Sequence, residues 1–567
     1  MVAAPHRRRE PINQPHQDPM HKMLASLATT ALATSLAVAF PALPAFAAPA
    51  THAAAAAPAT VQEAPLRAHL AFLSNDVLEG RGTGQRGGDI TVAYLETQAL
   101  AIGLKPANGD SYRQAVKIAG VKATPASSSV MVEAGGKAVP MAFGADWVWA
   151  PGDAKPAHMI DAELVFVGYG ITAPEEGWDD YKGIDCKGKI LVMMVNDPMP
   201  TDAEPNRFNG KGLTYYGRWT YKFEEAARKG AAGVILIHTE PSASYGWSVI
   251  QNSWLNERFQ LADGKLAGPL EGWMTDGAAQ KLFSAAGQDL DKLRAAAETK
   301  AFKPVPLGAR VKGEIKADIR IVDQFNVAGI VPGTDPKLKD EVVIYSAHWD
   351  HLGKQAGTGD TIYNGAVDNA SGSAGLLAMA QAAVRAPAKR SQMFLWVAAE
   401  EQGLLGSEAY AVKPLWPLKK TAANLNLDSM NFVGLTRDIG TRGSERTELQ
   451  AMAAATATAM GLKVAVTQPD LRGSYFRSDH FNFAKAGVPA FSVGGGSDWV
   501  KDPEGSKAKQ DAYQKGRYHQ VNDEYDPAWD LAGMVQQAQF TLNLGRRVAD
   551  APAMPTWKAG DPLGKLR

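Results

Sequence analysis

The chain has 567 residues, 45% hydrophobic and 21% charged, an ordinary globular composition with room for roughly three or four compact units. Lysine plus arginine number 59 and aspartate plus glutamate 59, so no excess positive charge exists to neutralise a nucleic-acid backbone or an anionic membrane. The single cysteine, Cys186, excludes an internal disulfide and a thiolate zinc cluster, and reads as a small buried hydrophobe.

Residues 1–60 read as an upstream extension, a signal peptide and a flexible leader. Met20-His21-Lys22-Met23 opens an apolar run from Leu24 to Phe40 that closes on Ala45-Phe46-Ala47, so cleavage is expected after Ala47. The run is short and interrupted at Pro41 and Pro44, which argues against a membrane anchor. The mature protein is expected to be exported, periplasmic or extracellular, without a stable membrane span.

The spacing of Leu66, Leu70 and Leu73, and then of Ile90, Tyr94, Leu95 and Leu100, predicts two helices around the Gly-rich stretch Glu79 to Gly84, in a first catalytic segment at 61–122. From Ala123 short alternating strands predict a β-rich insertion over 123–313, with a helix at Lys222–Lys229 and a strand at Gly233–Ile237. Near-continuous apolar strands follow at Asn326–Val331, Val342–Ser346, Met393–Val397 and Ala422–Leu427. They alternate with helices at Ser373–Arg385, Glu445–Met460 and Trp529–Arg547, in a second catalytic segment at 314–550 with a tail at 551–567. Strands buried on both faces and alternating with helices predict an α/β fold with a mostly parallel central sheet flanked by helices, interrupted by the β-rich insertion.

The strand ends carry the chemistry. His348-Trp349-Asp350-His351, Asp368-Asn369, Glu400-Glu401 and Asp428 are delivered to one rim, and His519 follows later. A lone strand-end aspartate usually caps a helix, but five such groups together have no bland explanation. Crowded carboxylates repel, whereas histidine and carboxylate are zinc ligands, and a shared carboxylate can hold two metals about 3.5–4 Å apart. His-Glu-x-x-His is absent, and Ser371 and Ser373 do not sit in Gly-x-Ser-x-Gly, which disfavours thermolysin-like and serine-hydrolase sites. Strand alternation puts 348 and 350 on one face and predicts that His351 points away.

The ordered set His-x-Asp, Asp-Asn, Glu-Glu, Asp, Ser-Asp-His and a late His resembles the co-catalytic two-zinc exopeptidases that include secreted bacterial aminopeptidases and glutamate carboxypeptidases. The stretches Leu164 to Ile171 and Trp178 to Gly183 resemble a protease-associated domain. The resemblance implies two zinc ions, one held by His348 and Asp428, the other by Glu401 and His519, with Asp368 as the bridge. It implies that Asp350 orients the His348 ring, that Glu400 is the general base, that Tyr475 donates to the oxyanion, and that the Asp368-Asn369 peptide is cis. Asp479 and His480 are expected to be structural supports; Arg472 and Arg477, near the pocket, are candidates to bind a substrate carboxylate but as lone arginines are expected to make structural ion pairs. The implied activity is removal of N-terminal residues from peptides. A carboxypeptidase on the same scaffold, a glutaminyl-cyclase-like transferase and a catalytically inert peptide-binding protein are the alternatives.

Overall fold

The computed structural model describes residues 59–243, 245–264, 268–466 and 468–566. The readings of the signal peptide and most of the leader lie outside these residues. Helix α1 (Glu63–Leu73) buries Leu66, Leu70 and Leu73, the stripe that its sequence periodicity predicts. A turn carrying Arg81 leads to α2 (Arg86–Ile102), which stops at Gly103, where φ is 90°.

The chain then forms β1 (Arg113–Ala123), β2 (Trp147–Ala150), β3 (Ala157–Phe166), β4 (Ile190–Met194), α3 (Trp219–Arg228), β5 (Gly233–His238), β6 (Leu270–Thr275) and α4 (Asp276–Ala285). A 27-residue strand, β7 (Val305–Val331), leads into β8 (Val342–His348), α5 (Ser371–Arg385), β9 (Ser391–Val397), α6 (Leu405–Val412) and β10 (Thr421–Asn426). Last come α7 (Leu449–Ala459), α8 (His480–Lys485), β11 (Ala490–Ser492), α9 (Pro503–Gly516) and α10 (Ala532–Asp550).

The principal sheet runs β11-β10-β8-β9-β7-β3-β4-β5-β6-β2. Strand β8 is parallel to both β9 and β10, and β10 is parallel to β11. Every residue of β8, β9 and β10 is buried, as a parallel sheet with helices on both faces requires.

The segment expected to be β-rich is itself α/β. Strands β3, β4, β5 and β6 pair in parallel. Alternation sends Leu164, Phe166, Ile235 and Ile237 to a core with Leu282 and Phe283 of α4, and Val165, Leu191, Val234 and Leu236 to a second core with Phe223 and Ala226 of α3. Cys186 is buried in the latter.

The two halves share β7, whose early residues pair antiparallel with β3 and whose last residues pair antiparallel with β9, while β1 pairs along Ala317–Val327. Gly313, the expected boundary, lies within this strand. Among the described residues no helix is long and apolar enough to cross a membrane.

Candidate metal centre

The parallel strands end together, so the residues just beyond their C-termini converge. His348 is the last residue of β8, Glu400 and Glu401 follow β9, Asp428 follows β10, and Asp368 sits in the turn before α5. His519 enters from the turn after α9 with φ of 58°. His348, Asp368, Glu401 and the neighbouring His351 are buried at 4% side-chain exposure or close to it.

Asp368 turns its two carboxylate oxygens to two different partners. Its Oδ1 lies 3.3 Å from His348 Nε2, which is also 3.4 Å from Asp428 Oδ1. Its Oδ2 lies 3.1 Å from His519 Nε2, which is also 3.2 Å from Glu401 Oε2. Ligands about 2.0–2.1 Å from a tetrahedral zinc stand about 3.3–3.4 Å from one another, so both donor sets have the spacing of a zinc coordination edge. The groups His348, Asp368, Asp428 and His351, Asp368, Glu401 each could hold a metal ion. The Asp368-Asn369 peptide is cis.

The electrostatics favour positive charge at this cluster. Burial alone would lower the His348 pKa, yet Glu400, Asp428 and Asp368 hold it well above its ordinary value. His519, likewise against burial, is pushed up to about 9 by Glu401 and Asp368. Burial, with Asp428, Glu401 and Asp479 adding repulsion against the pull of His348, holds the Glu400 carboxyl well above the usual carboxylate range.

The supporting shell departs from expectation at four places. His351 does not point away: its Nδ1 is 2.6 Å from Glu401 Oε1, because the strand has ended at His348 and alternation no longer governs direction. The His348 ring is held by the backbone carbonyl of Asp350 (Nδ1 to O 3.1 Å), while the Asp350 carboxylate stands 3.8 Å off and accepts from the N–H groups of Glu400 (3.0 Å) and Glu401 (3.3 Å). Asp350 therefore fixes the glutamate turn with its side chain and the imidazole with its main chain.

Tyr475 donates its hydroxyl to the Ala490 carbonyl at 3.0 Å, and the charged groups acting on it are Arg446, Asp561 and Glu445 rather than the cluster. It lines a cavity of about 820 Å³ that includes none of the five proposed ligands. The expected oxyanion donor is engaged elsewhere, because the turn Ser474–Phe476 packs the ring against Gly443 and Arg446. Arg472 and Arg477 form no ion pair among the described residues, contrary to expectation, and both are exposed. Asp479 accepts from Ser407 Oγ at 2.6 Å, and the His480 ring lies 4.8 Å from that of Tyr475.

Three residues that the sequence reading passed over build the site from outside. Ser478 donates to Asp428 Oδ2 at 2.5 Å. Asp523 accepts from the N–H groups of Val367 and Asp368. Arg81, 1% exposed, donates to the carbonyls of Leu73, Trp349 (2.8 Å), Asn364 (2.5 Å) and Gly365 (2.9 Å), tying together the end of α1, the His348 turn and the Asp368 turn. Gly365 is required in that turn: φ is 55°, and a Cβ would stand 2.2 Å from Asp368 O and 2.5 Å from the His351 ring.

Residues 326–542 match the model of peptidase family M28. That stretch is similar to peptidase family M28. It holds all five of the residues that the donor geometry brings together. Among curated proteins, a probable leucine aminopeptidase of Arthroderma otae is 31% identical over 176 residues, covering 30% of this chain and 46% of that protein. Leucine aminopeptidase 1 of Trichophyton equinum is 28% identical over 181 residues, covering 30% of this chain and 47% of that protein. The chain thus spans about half the length of the curated relatives it matches. An aminopeptidase structure from an Aneurinibacillus species is 20% identical, covers 87% of this chain and 95% of its own, and superposes with a TM-score of 0.45.

Proposed function

We propose that this protein is an exported zinc-dependent aminopeptidase that binds two zinc ions through its M28 domain and removes N-terminal residues from peptides. The observation that carries the proposal is the two-sided presentation of Asp368, each oxygen meeting its own histidine and carboxylate at zinc-ligand spacing. His348 and Asp428 would hold one ion, Glu401 and His519 the other, with Asp368 between them. Bound zinc would supply Lewis acidity toward a peptide carbonyl and toward water.

The chain's own residues do the rest. Glu400, 4.0 Å from His348 Nε2, takes the proton of the attacking water and delivers it to the departing nitrogen. The Glu401–His351 contact and the Asp350 bonds to the Glu400 and Glu401 backbone fix that carboxylate beside the ligands. The segment at 123–313, which resembles a protease-associated domain, would wall the substrate cleft, and interdomain clefts are common ligand sites.

The test is a panel of aminoacyl and carboxy-terminal reporter peptides assayed with and without a chelator. Hydrolysis of the aminoacyl set, lost on chelation and restored by zinc, is expected. Turnover that survives complete metal removal would overturn the reading.

A further inference from the structure

Each carboxylate that faces a single histidine of the cluster has its second oxygen taken by a donor of the chain. Asp428 meets His348 Nε2 through Oδ1 at 3.4 Å and accepts the Ser478 hydroxyl on Oδ2 at 2.5 Å. Glu401 meets His519 Nε2 through Oε2 at 3.2 Å, and its Oε1 stands 2.6 Å from His351 Nδ1. A carboxylate oxygen only accepts, so Nδ1 carries the proton of that bond.

The 2.6 Å separation decides what His351 is. Two ligands of one tetrahedral zinc stand about 3.3–3.4 Å apart, whereas a hydrogen bond from nitrogen to a charged oxygen spans about 2.7–2.9 Å. His351 Nδ1 and Glu401 Oε1 are therefore bonded to each other and do not share a metal, although His351, Asp368 and Glu401 converge. The His351 ring is held in place. Its side chain has no exposed surface, it meets the His519 ring edge-on at 5.7 Å, and a Cβ on Gly365 would stand 2.5 Å from it. Its Nε2 is buried without a partner, so the bond to Glu401 is the hydrogen bond that orients the ring.

We propose that His351 is a positioning residue that holds back Glu401 Oε1, so that Glu401 ligates the second metal through Oε2 alone. The proposal rests on the two-metal reading of the site and states what limits coordination there. The chain then supplies three donors to that ion, one oxygen each from Asp368 and Glu401 and Nε2 of His519. A catalytic metal with three protein ligands keeps a position for water or substrate. Glu401 binding through both oxygens would fill that position. Asp350 holds the residue from its other end by accepting the Glu401 N–H at 3.3 Å.

Cobalt(II) in place of zinc tests this on the full chain, because coordination geometry is diagnostic and the visible bands of cobalt weaken as coordination rises from four to five. The native protein is expected to bind two cobalt ions. His351→Leu is expected to bind two as well, with weaker bands, and to lose about 10–100-fold in kcat/KM on an aminoacyl reporter. His351→Asn places an amide donor where Nδ1 stands and is expected to restore both toward native values. A merely structural role would lower the melting temperature of the metal-free protein and leave the bands alone. If the leucine variant does not fold, His351→Ala takes the same measurements.

Native bands in a folded variant that holds two cobalt ions would overturn the proposal. One cobalt in place of two would make His351 a ligand and overturn it equally. A native protein that takes up no cobalt would overturn the two-metal reading itself, a result distinct from two bound ions with unchanged bands.

Discussion

Asp523 lies behind Asp368 and accepts the backbone N–H of Val367 with one oxygen and that of Asp368 with the other, both at 3.2 Å. The turn that presents the shared carboxylate therefore hangs from a second, buried carboxylate, which Tyr513 also contacts at 3.2 Å. Asp523→Asn would place an amide donor against one of those N–H groups. Metal affinity is expected to fall about 10–100-fold, the usual effect of disturbing a group that orients a ligand. Zinc retained after dialysis against a graded chelator, measured by elemental analysis, checks this; unchanged retention would remove Asp523 from the site.

Adjacent glutamates are expected to fail differently. Glu400→Gln should keep its metal and lose about 10²–10⁴-fold in kcat, as removal of a general base does. Glu401→Gln should lose metal first, because Glu401 is the carboxylate facing His519 and His351. Parallel metal analysis and kinetics on the two variants separate the roles.

Complete metal removal should abolish turnover and leave the sheet standing. The strands β8, β9 and β10 are buried by aliphatic and aromatic packing, and four of the five ligands lie beyond their ends or in turns. Two zinc ions per chain are expected in the active protein, with far-ultraviolet circular dichroism nearly unchanged after chelation. One ion in fully active protein would exclude the bridged arrangement.

Arg81→Met should destabilise the fold by about 3 kcal/mol or more. It strips donors from four buried carbonyls, and each unsatisfied polar group costs about 1–3 kcal/mol. Its positive charge also acts on Asp350, Asp523, Asp368 and Glu401. Denaturant unfolding of the metal-free variant measures the loss without interference from zinc.

Stability should fall on mild acidification, in part through His69. Its Nδ1 lies 2.8 Å from the Tyr94 hydroxyl between α1 and α2, and burial lowers its pKa from 6.5 to about 4. Between those values the unfolded chain binds a proton that the folded chain refuses. The contribution is therefore intact above about pH 6.5 and declines as pH falls toward 4, by roughly 1–3 kcal/mol. His69→Phe should flatten the melting temperature over this interval; an unaltered slope would show that His69 is not buried neutral.

How legible all this was in the sequence depended on the range of the forces involved. Strands such as Val342–His348 announced themselves because burial on both faces leaves few polar residues to break the run. The proposed ligands His348, Glu401 and Asp428 were legible because parallel strands bring their ends to one rim whatever their exact register. The character of the insertion was not: whether Leu164 and Ile190 lie side by side in parallel is decided by pairing between strands separated along the chain, not by local alternation. Strand β1 and helices α6 and α9 went unread for the same reason, since mixed polarity at Arg113–Ala123 is resolved only by pairing with β7. His351 was misread by carrying strand geometry past the strand's end, and Tyr475 because a local motif cannot say that Ala490 supplies its acceptor.

The 27-residue ribbon Val305–Val331 gives the molecule a particular mechanics. A long hydrogen-bonded strand, its pairing irregular only between Pro306 and Arg310, resists folding at a point but yields to torsion along its length, and the Arg113–Ala123 strand pairs beside it over Ala317–Val327. Breathing of the cleft must then spread as a shallow twist over many residues instead of a swing at one joint.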